Sequence, residues 1–195
     1  DYQGKNTSIR NASKTYVSKD SVIKADALES GDGGRIIVWA DEITRFYGHL
    51  YARGGRVGGD GGFAEVSGKE FLDFRGTADL TALTGDYGTI LFDPLDIVIR
   101  DAQRGETPDV VSENDAFSEN PDTNVFFTPD QIQTLLGSTD VELQANRNIT
   151  VEDAISMGAG NTRDLTLKAN DTITIDSAGS IDLGSGDLYL IAGSN

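Results

Sequence analysis

Residues 54–68 read GGRVGGDGGFAEVSG, six glycines and one aspartate ahead of an alternating run, FAEVSG. Three structures produce such a stretch: a phosphate cradle, a calcium-binding repeat, or a corner in a repeating β-fold. A Walker loop needs Gly-Lys-Ser/Thr opening a helix, and a dinucleotide fingerprint also runs into a helix. Here a strand pattern follows, so the phosphate readings fail. The calcium repeats of secreted β-rolls are tandem copies of G-G-x-G-x-D-x-U-x, where U is apolar. Gly58, Gly59, Asp60, Gly61 and Gly62 are out of that phase and the motif is not tandem. SGDGG (30–34) carries the same Gly-Asp-Gly-Gly core one repeat earlier. Asp32 and Asp60 thus stand at equivalent corners as the calcium candidates, although calcium takes six or more oxygens and such a corner supplies few. The preferred reading is a glycine corner, where positive φ and a missing Cβ let neighbouring coils approach.

Working outward, GGRIIVWA (33–40) matches GGFAEVSG (61–68) at an offset of 28 residues. Ile36 meets Ala64, Val38 meets Val66 and Ala40 meets Gly68; Phe46 then meets Phe74 and Gly48 meets Gly76. YGTILFD (87–93) is a third copy, with Ile90 and Phe92 inward. Towards the C-terminus the spacing tightens. VELQAN (141–146), LTLKAN (165–170) and LYLIAG (188–193) recur at 24 and 23 residues. NITVEDAI (148–155) and DTITIDSA (171–178) fall between them. Leu165, Leu167 and Ala169 alternate with Thr166 and Lys168, a period of two that means strand. Short β-branched strands recurring once per coil predict an all-β parallel β-helix, a solenoid of roughly eight coils. Asn146 and Asn170 share a corner, which suits either a ladder of stacked amides or two ordinary turn asparagines.

One segment breaks the period. Residues 101–127 are acidic, contain two prolines and read as an excursion from the coil. TPDQIQTLL (128–136) follows as a short helix over about 129–136. Thr128 is its N-cap, Pro129 its first residue, Gln131 completes a capping box and Gly137 stops it. Its apolar face, Ile132, Leu135 and Leu136, is expected to cover a flank where Ile37, Trp39 and Leu91 point outward. An outward Trp39 beside Ile37 is otherwise an exposed contact surface. The chain therefore divides into a lead-in (1–34), coils of about 28 residues (35–100), the excursion with its helix (101–140), and coils of about 24 residues (141–195).

Charge narrows the partners. The 195-residue chain has 32 acidic and 16 basic residues, a net charge of -16. That argues against nucleic acid, polyanionic glycans and anionic membranes. No apolar run approaches the roughly 20 residues of a membrane helix, so no membrane insertion is expected. Without cysteine there is no disulfide framework or thiolate metal site. No signal-peptide pattern stands in the sequence, and the chain reads as a piece of a longer polypeptide.

Candidate site residues are few. Glu65, Asp73, Asp79, Glu142, Glu152 and Asp153 are the outward acids from which a polysaccharide hydrolase or lyase would draw a pair. With so many acids, a solvated face explains them equally well. His49 is the only histidine and reads as an outward strand residue without a partner for general-base work. No nucleophile elbow or triad pattern occurs, so no catalytic residue is assigned and no cofactor beyond the calcium candidates. In the excursion, Glu106, Asp109, Glu113 and Asp115, with Glu119 and Asp122, crowd around Arg104 and form a loop-borne candidate interaction surface alongside Ile37, Trp39 and Leu91. Lys5, Arg10, Lys14, Lys19 and Lys24 make the N-terminus basic, and sequons stand at Asn6, Asn11, Asn148 and Asn170.

The run SGDGGRIIVWADEITRFYGHLYARGGRVGGDGGFAEVSGKEFLDFRGTADL (30–80), with GTILFDPLDIVI (88–99) and TPDQIQTLL after it, resembles large bacterial exoproteins of the filamentous haemagglutinin type. These are the passengers of two-partner secretion, and the resemblance covers at least residues 20–152. It implies a right-handed parallel β-helix, export through an outer-membrane pore partner, and a secreted or cell-surface location. It offers no catalytic motif. The expectation is a structural or adhesive shaft segment of a large adhesin, facing an unknown host-cell, glycan or neighbouring-cell receptor. The rivals are a β-helical polysaccharide-active enzyme and a calcium-dependent binding module. Open strand edges at either end predict end-to-end self-association of the fragment.

Overall fold

Alternation and repeat offset together dictate a solenoid, and the computed structural model, which describes residues 1–101 and 124–193, is one: a parallel β-helix of about five turns. The expected eight coils were an overcount. At roughly 4.8 Å per coil, five make a rod section of about 24 Å. Glu106, Asp109, Glu113 and Asp115, with Arg104, Glu119 and Asp122, lie outside the described residues.

Three sheets form the sides. Sheet one stacks β3 (Arg35–Ala40), β6 (Phe63–Gly68), β9 (Thr89–Phe92), β12 (Asp140–Ala145), β15 (Leu165–Ala169) and β18 (Leu188–Ala192). Sheet three carries β2 (Val22–Lys24), β5 (His49–Tyr51) and β8 (Thr77–Asp79), then, higher up, β14 (Ile155–Ser156) and β17 (Ile181–Asp182). Sheet two begins with β1 (Lys14–Val17), β4 (Ile43–Phe46) and β7 (Phe71–Phe74). It continues in the order β11 (Asn124–Phe127), β10 (Asp96–Ile99), β13 (Asn148–Val151), β16 (Thr172–Ile175). Every strand pair among the described residues is parallel, and the register matches the repeat: Ile36 on Ala64, Val38 on Val66, Phe46 on Phe74, Val141 on Leu165 on Leu188.

Like stacks on like inside. Phe46 lies flat against Phe74 at 5.6 Å, Phe74 meets Phe92 edge-on at 4.8 Å, and Phe92 meets Phe127 at 5.0 Å. Each such ring buries about 1.5–3 kcal/mol of apolar surface. Above this column the core turns aliphatic, with Leu143, Leu165, Leu167 and Ile149 fully buried. The corners are as tight as the glycines require. A Cβ on Gly61 would lie 1.9 Å from the Leu80 carbonyl oxygen and 2.2 Å from the Gly88 nitrogen.

The insertion departs from expectation in three ways. Residues 124–127 are not part of an excursion: they form β11, with Val125 and Phe127 buried and paired to Ile97 and Ile99. This strand lies between β7 and β10, so chain order and spatial order disagree there. The helix α1 (Pro129–Leu136) forms with the expected capping box: Thr128 Oγ1 accepts from the Gln131 N–H, and Gln131 Oε1 accepts from the Thr128 N–H. It does not cover the flank at Ile37, Trp39 and Leu91. It packs between β8 and β14 as a substitute strand in the wall of sheet three, and Ile132, Leu135 and Leu136 join the central core. Gly137 ends the helix at φ −69, an ordinary right-handed conformation, through a tightened final turn rather than a left-handed cap.

Candidate functional site

The outer face of sheet one gathers the polar side chains that matter. Because strand residues alternate, the column facing out through Trp39 continues to Ser67 one coil up. Higher up, Gln144 faces out beside Lys168 and Ile191. Asp93 follows directly on β9 and enters the same column, its N–H donating to Ser67 Oγ at 3.0 Å. A second outward column holds Ile37, Glu65, Leu91 and Glu142.

This face is not bare. The chain start, a 3-10 turn at Tyr2–Gly4, lies across it as a strap. Gln3, at φ +52, turns its N–H to both oxygens of Glu65, each at 3.1 Å. Tyr2 meets Phe63 edge-on at 5.8 Å, and the Arg35 guanidinium sits over both rings. Gly4 lies so close to the Trp39 indole that a Cβ would fall 2.6 Å from Cζ2. The expected exposed patch is therefore corrected. Leu91 does point outward, but it is 1% exposed and cannot serve as a contact surface. Ile37 and Trp39 are half-buried.

Burial has an electrostatic cost here. Glu65 is fully covered, and loss of water pushes its carboxyl up to about 7 despite the Gln3 N–H. Burial likewise raises Asp93 to about 6, with Lys5 and Lys168 pulling the other way. Beside Asp93 opens a cleft of about 540 Å³, lined by Gln3, Gly4 and Lys5 of the strap and by Trp39, Asp41, Lys69, Asn146 and their neighbours.

The other outward acids are engaged elsewhere. Asp73 is buried on sheet two, accepting from the Tyr47 hydroxyl at 2.7 Å and from Arg75 Nε at 3.0 Å. Burial, then the Asp73 charge, raises the Tyr47 phenol well above its ordinary value. The neighbouring Arg45 is 3% exposed, stands 5.9 Å from the Phe71 ring centre, and has no hydrogen-bond partner for Nε or Nη1 among the described residues. Asp79 holds Thr81 and faces Arg53, whose main partner is Asp26 at 2.9 Å. Asp153 accepts the Asp101 N–H across the coils. His49 points outward, its Nδ1 2.8 Å from Thr77 Oγ1. Glu142 and Glu152 are partly exposed. In the cleft beside Trp39 the carboxylates that come together are Asp41 and Asp93, and sequence reasoning named neither. LFDP, with an aspartate continuing the outward phase of Leu91, was the available signal for Asp93.

The glycine corner answers the calcium question in part. Asp32 Oδ1 accepts the Asp60 N–H at 2.9 Å, and Asp60 Oδ1 accepts the Asp86 N–H at 2.9 Å. Asp140, Asp164 and Asp187 repeat the device in the upper coils at 3.0 and 2.8 Å. These carboxylates tie one coil to the next by charge-assisted bonds. Among the described residues no three His, Cys, Asp or Glu side chains come together as a metal cluster. At the other corner, Asn146 Nδ2 reaches Asp93 Oδ1 and the Pro94 carbonyl, each at 3.4 Å, so its amide bonds downward rather than to Asn170.

No protein-family model matches the chain, and no curated protein matches it at a significant level. No helix among the described residues is long and apolar enough to cross a membrane.

Proposed function

We propose that the chain is a length of rigid shaft from a large bacterial adhesin, exported through an outer-membrane pore by two-partner secretion and held at the cell surface or released. The observation that carries this is the continuous like-on-like stacking from Phe46 to Leu190, tied coil to coil at the corners by aspartate carboxylates. A solenoid of this kind is stabilised by each neighbour, so length can be added without a new core. The two strongly shifted carboxyls, Glu65 and Asp93, favour a second reading as a polysaccharide hydrolase. It is the weaker one, because the strap closes over Glu65.

At the upper end, β18 leaves Leu188, Tyr189, Leu190 and Ile191 between 38% and 47% exposed on an unpaired edge. This edge is where the isolated chain would associate with a second copy. The test of the main reading is antibody against the chain applied to intact source cells. Surface labelling that disappears with the gene for the pore partner is the expected result. Label found only after cell lysis, or new reducing ends released from a glycan by the purified chain, overturns it.

A further inference from the structure

We propose that the cleft between the N-terminal strap and the outer face of sheet one binds an oligosaccharide carrying a single carboxylate. Its volume, about 540 Å³, lies within the range of small-ligand sites. Its floor is Trp39, the only tryptophan in the chain. The indole is fixed from two sides: Nε1 donates to Asp41 Oδ1 at 3.0 Å, and Gly4 presses on the benzo edge. A held, half-exposed aromatic face suits the apolar C–H side of a pyranose ring.

The charge at the cleft is opposite to that of the molecule. Lys5, Lys69 and Lys168 line it, in a chain whose acids outnumber its bases two to one. Among the described residues none of the three forms an ion pair. Lys5 and Lys168 reach only amide oxygens, those of Gln3 and Gln144. Three ammonium groups outnumber the two carboxylates of the cleft, Asp41 and Asp93, and none is locked in a close ion pair, so the half-enclosed space favours an anion.

The remaining lining narrows the anion's chemistry. Gln3, Gln144, Asn146 and Asn170 offer both donors and acceptors, as adjacent sugar hydroxyls demand. Among the described residues no arginine and no α-helix N-terminus lines the cleft, so the two usual devices for phosphate are missing there. Asp41 and Asp93 on the same walls repel a doubly charged group. The net charge of -16 over the whole chain repels a polyanion. One carboxylate on an otherwise neutral oligosaccharide satisfies all of these.

The proposal draws on the adhesive reading only for its biological use, and its test needs no cells. Trp39 emission of the purified chain is titrated with aldotetraouronic acid, a xylotriose bearing one glucuronate, and with its methyl ester. The expected result is a saturable change with the acid, weakened about tenfold in the ester and in a Lys69→Gln, Lys168→Gln double variant, equivalent to one carboxylate–ammonium contact. Thermal melting of that variant, and of Lys69→Gln alone, is expected to stay close to the parent's, since Lys168 reaches only the Gln144 amide oxygen at 3.5 Å and both lysines act on Asp93 and Asp41 through charge at longer range. The proposal is overturned by no saturable change at millimolar acid, by equal binding of acid and ester, or by parental affinity in a folded double variant. Loss of surface labelling in the cell experiment would leave a positive titration standing.

Discussion

The coils of 28 residues and the coils of 24 residues share one fold and bury different amounts of themselves. In the lower coils, β6 is buried at five of six positions and β7 at all four. In the upper coils, β12 and β15 alternate strictly, buried and half-buried. The lower coils also hold the aromatic column, the covered Glu65 and the buried Arg45 and Asp73. The upper core is aliphatic, and its last strand is open. Covalent repetition therefore fixes which residues stack. Whether an outward residue meets water depends on extra chain, and on sheet one that extra chain is the strap.

The sharpest way to break the comparison is at the corners. Gly61→Ala drives a methyl into backbone on both sides and is expected to cost more than about 4 kcal/mol, or to abolish folding of the lower coils. Gly158→Ala, in the upper coils with nothing within 4 Å of the new atom, is expected to leave the denaturation midpoint almost unchanged. Equal effects would show that the corners are looser than described.

Next come the cores. Phe92 touches Phe74 and Phe127, so Phe92→Ala breaks the column at its centre and is expected to cost about 3–5 kcal/mol. Leu167→Ala, two coils from the aromatic column, is expected to cost about 2–4 kcal/mol and to raise amide exchange mainly in the upper coils. Exchange that rises uniformly would mean the rod unfolds as one unit.

Glu65 separates the halves by pH. Its carboxyl is raised to about 7 when folded, against 4.5 for a free side chain. The folded chain then binds more protons than the unfolded chain in that window, so stability falls as pH rises from about 4.5 to about 7 and levels off above. Asp93 adds the same sign up to about 6. Glu65→Gln keeps an acceptor for the Gln3 N–H and removes the charge. It is expected to stabilise the chain at pH 8 by on the order of 2 kcal/mol and to flatten the decline, as measured by melting across pH. Another small effect is expected at Gly137. Its right-handed φ accepts a side chain, and the new methyl would meet only the Thr134 carbonyl oxygen closely, at 3.1 Å, so Gly137→Ala should shift stability by no more than about 0.5 kcal/mol, whereas a left-handed cap would lose more.

Much of this architecture was legible because two signals coincided, period two within strands and a constant offset between them. Ile36, Val38 and Ala40 had to lie over Ala64, Val66 and Gly68 once the corner was placed. The helix was legible from its caps, since TPDQ supplies each capping atom locally. Its destination was not, because an apolar face on Ile132, Leu135 and Leu136 says that it is buried and not against what. NVFF was overlooked for a different reason. Val125 and Phe127 carry the strand alternation of Ile97 and Ile99, but acids and a proline just upstream gave the whole stretch the look of a loop. The strap was illegible: DYQGKN has no periodicity, and its meaning lies in Glu65 and Trp39, far along the chain. The cleft was hidden with it, since one of its walls, Gln3, Gly4 and Lys5, arrives from the first five residues.

The out-of-order strand has a consequence for how the rod is made. If the chain folds from its N-terminus, β1 to β9 can wind in sequence, each turn laid on the last. At β10 this fails, because the layer beneath it belongs to β11, which emerges later. The growing rod must hold β10 unsupported until residues 124–127 arrive and slide in below. Folding in that direction is thus a ratchet with one skipped tooth, and the strand order divides the rod into a part that can close in sequence and a part that waits for residues 124–127.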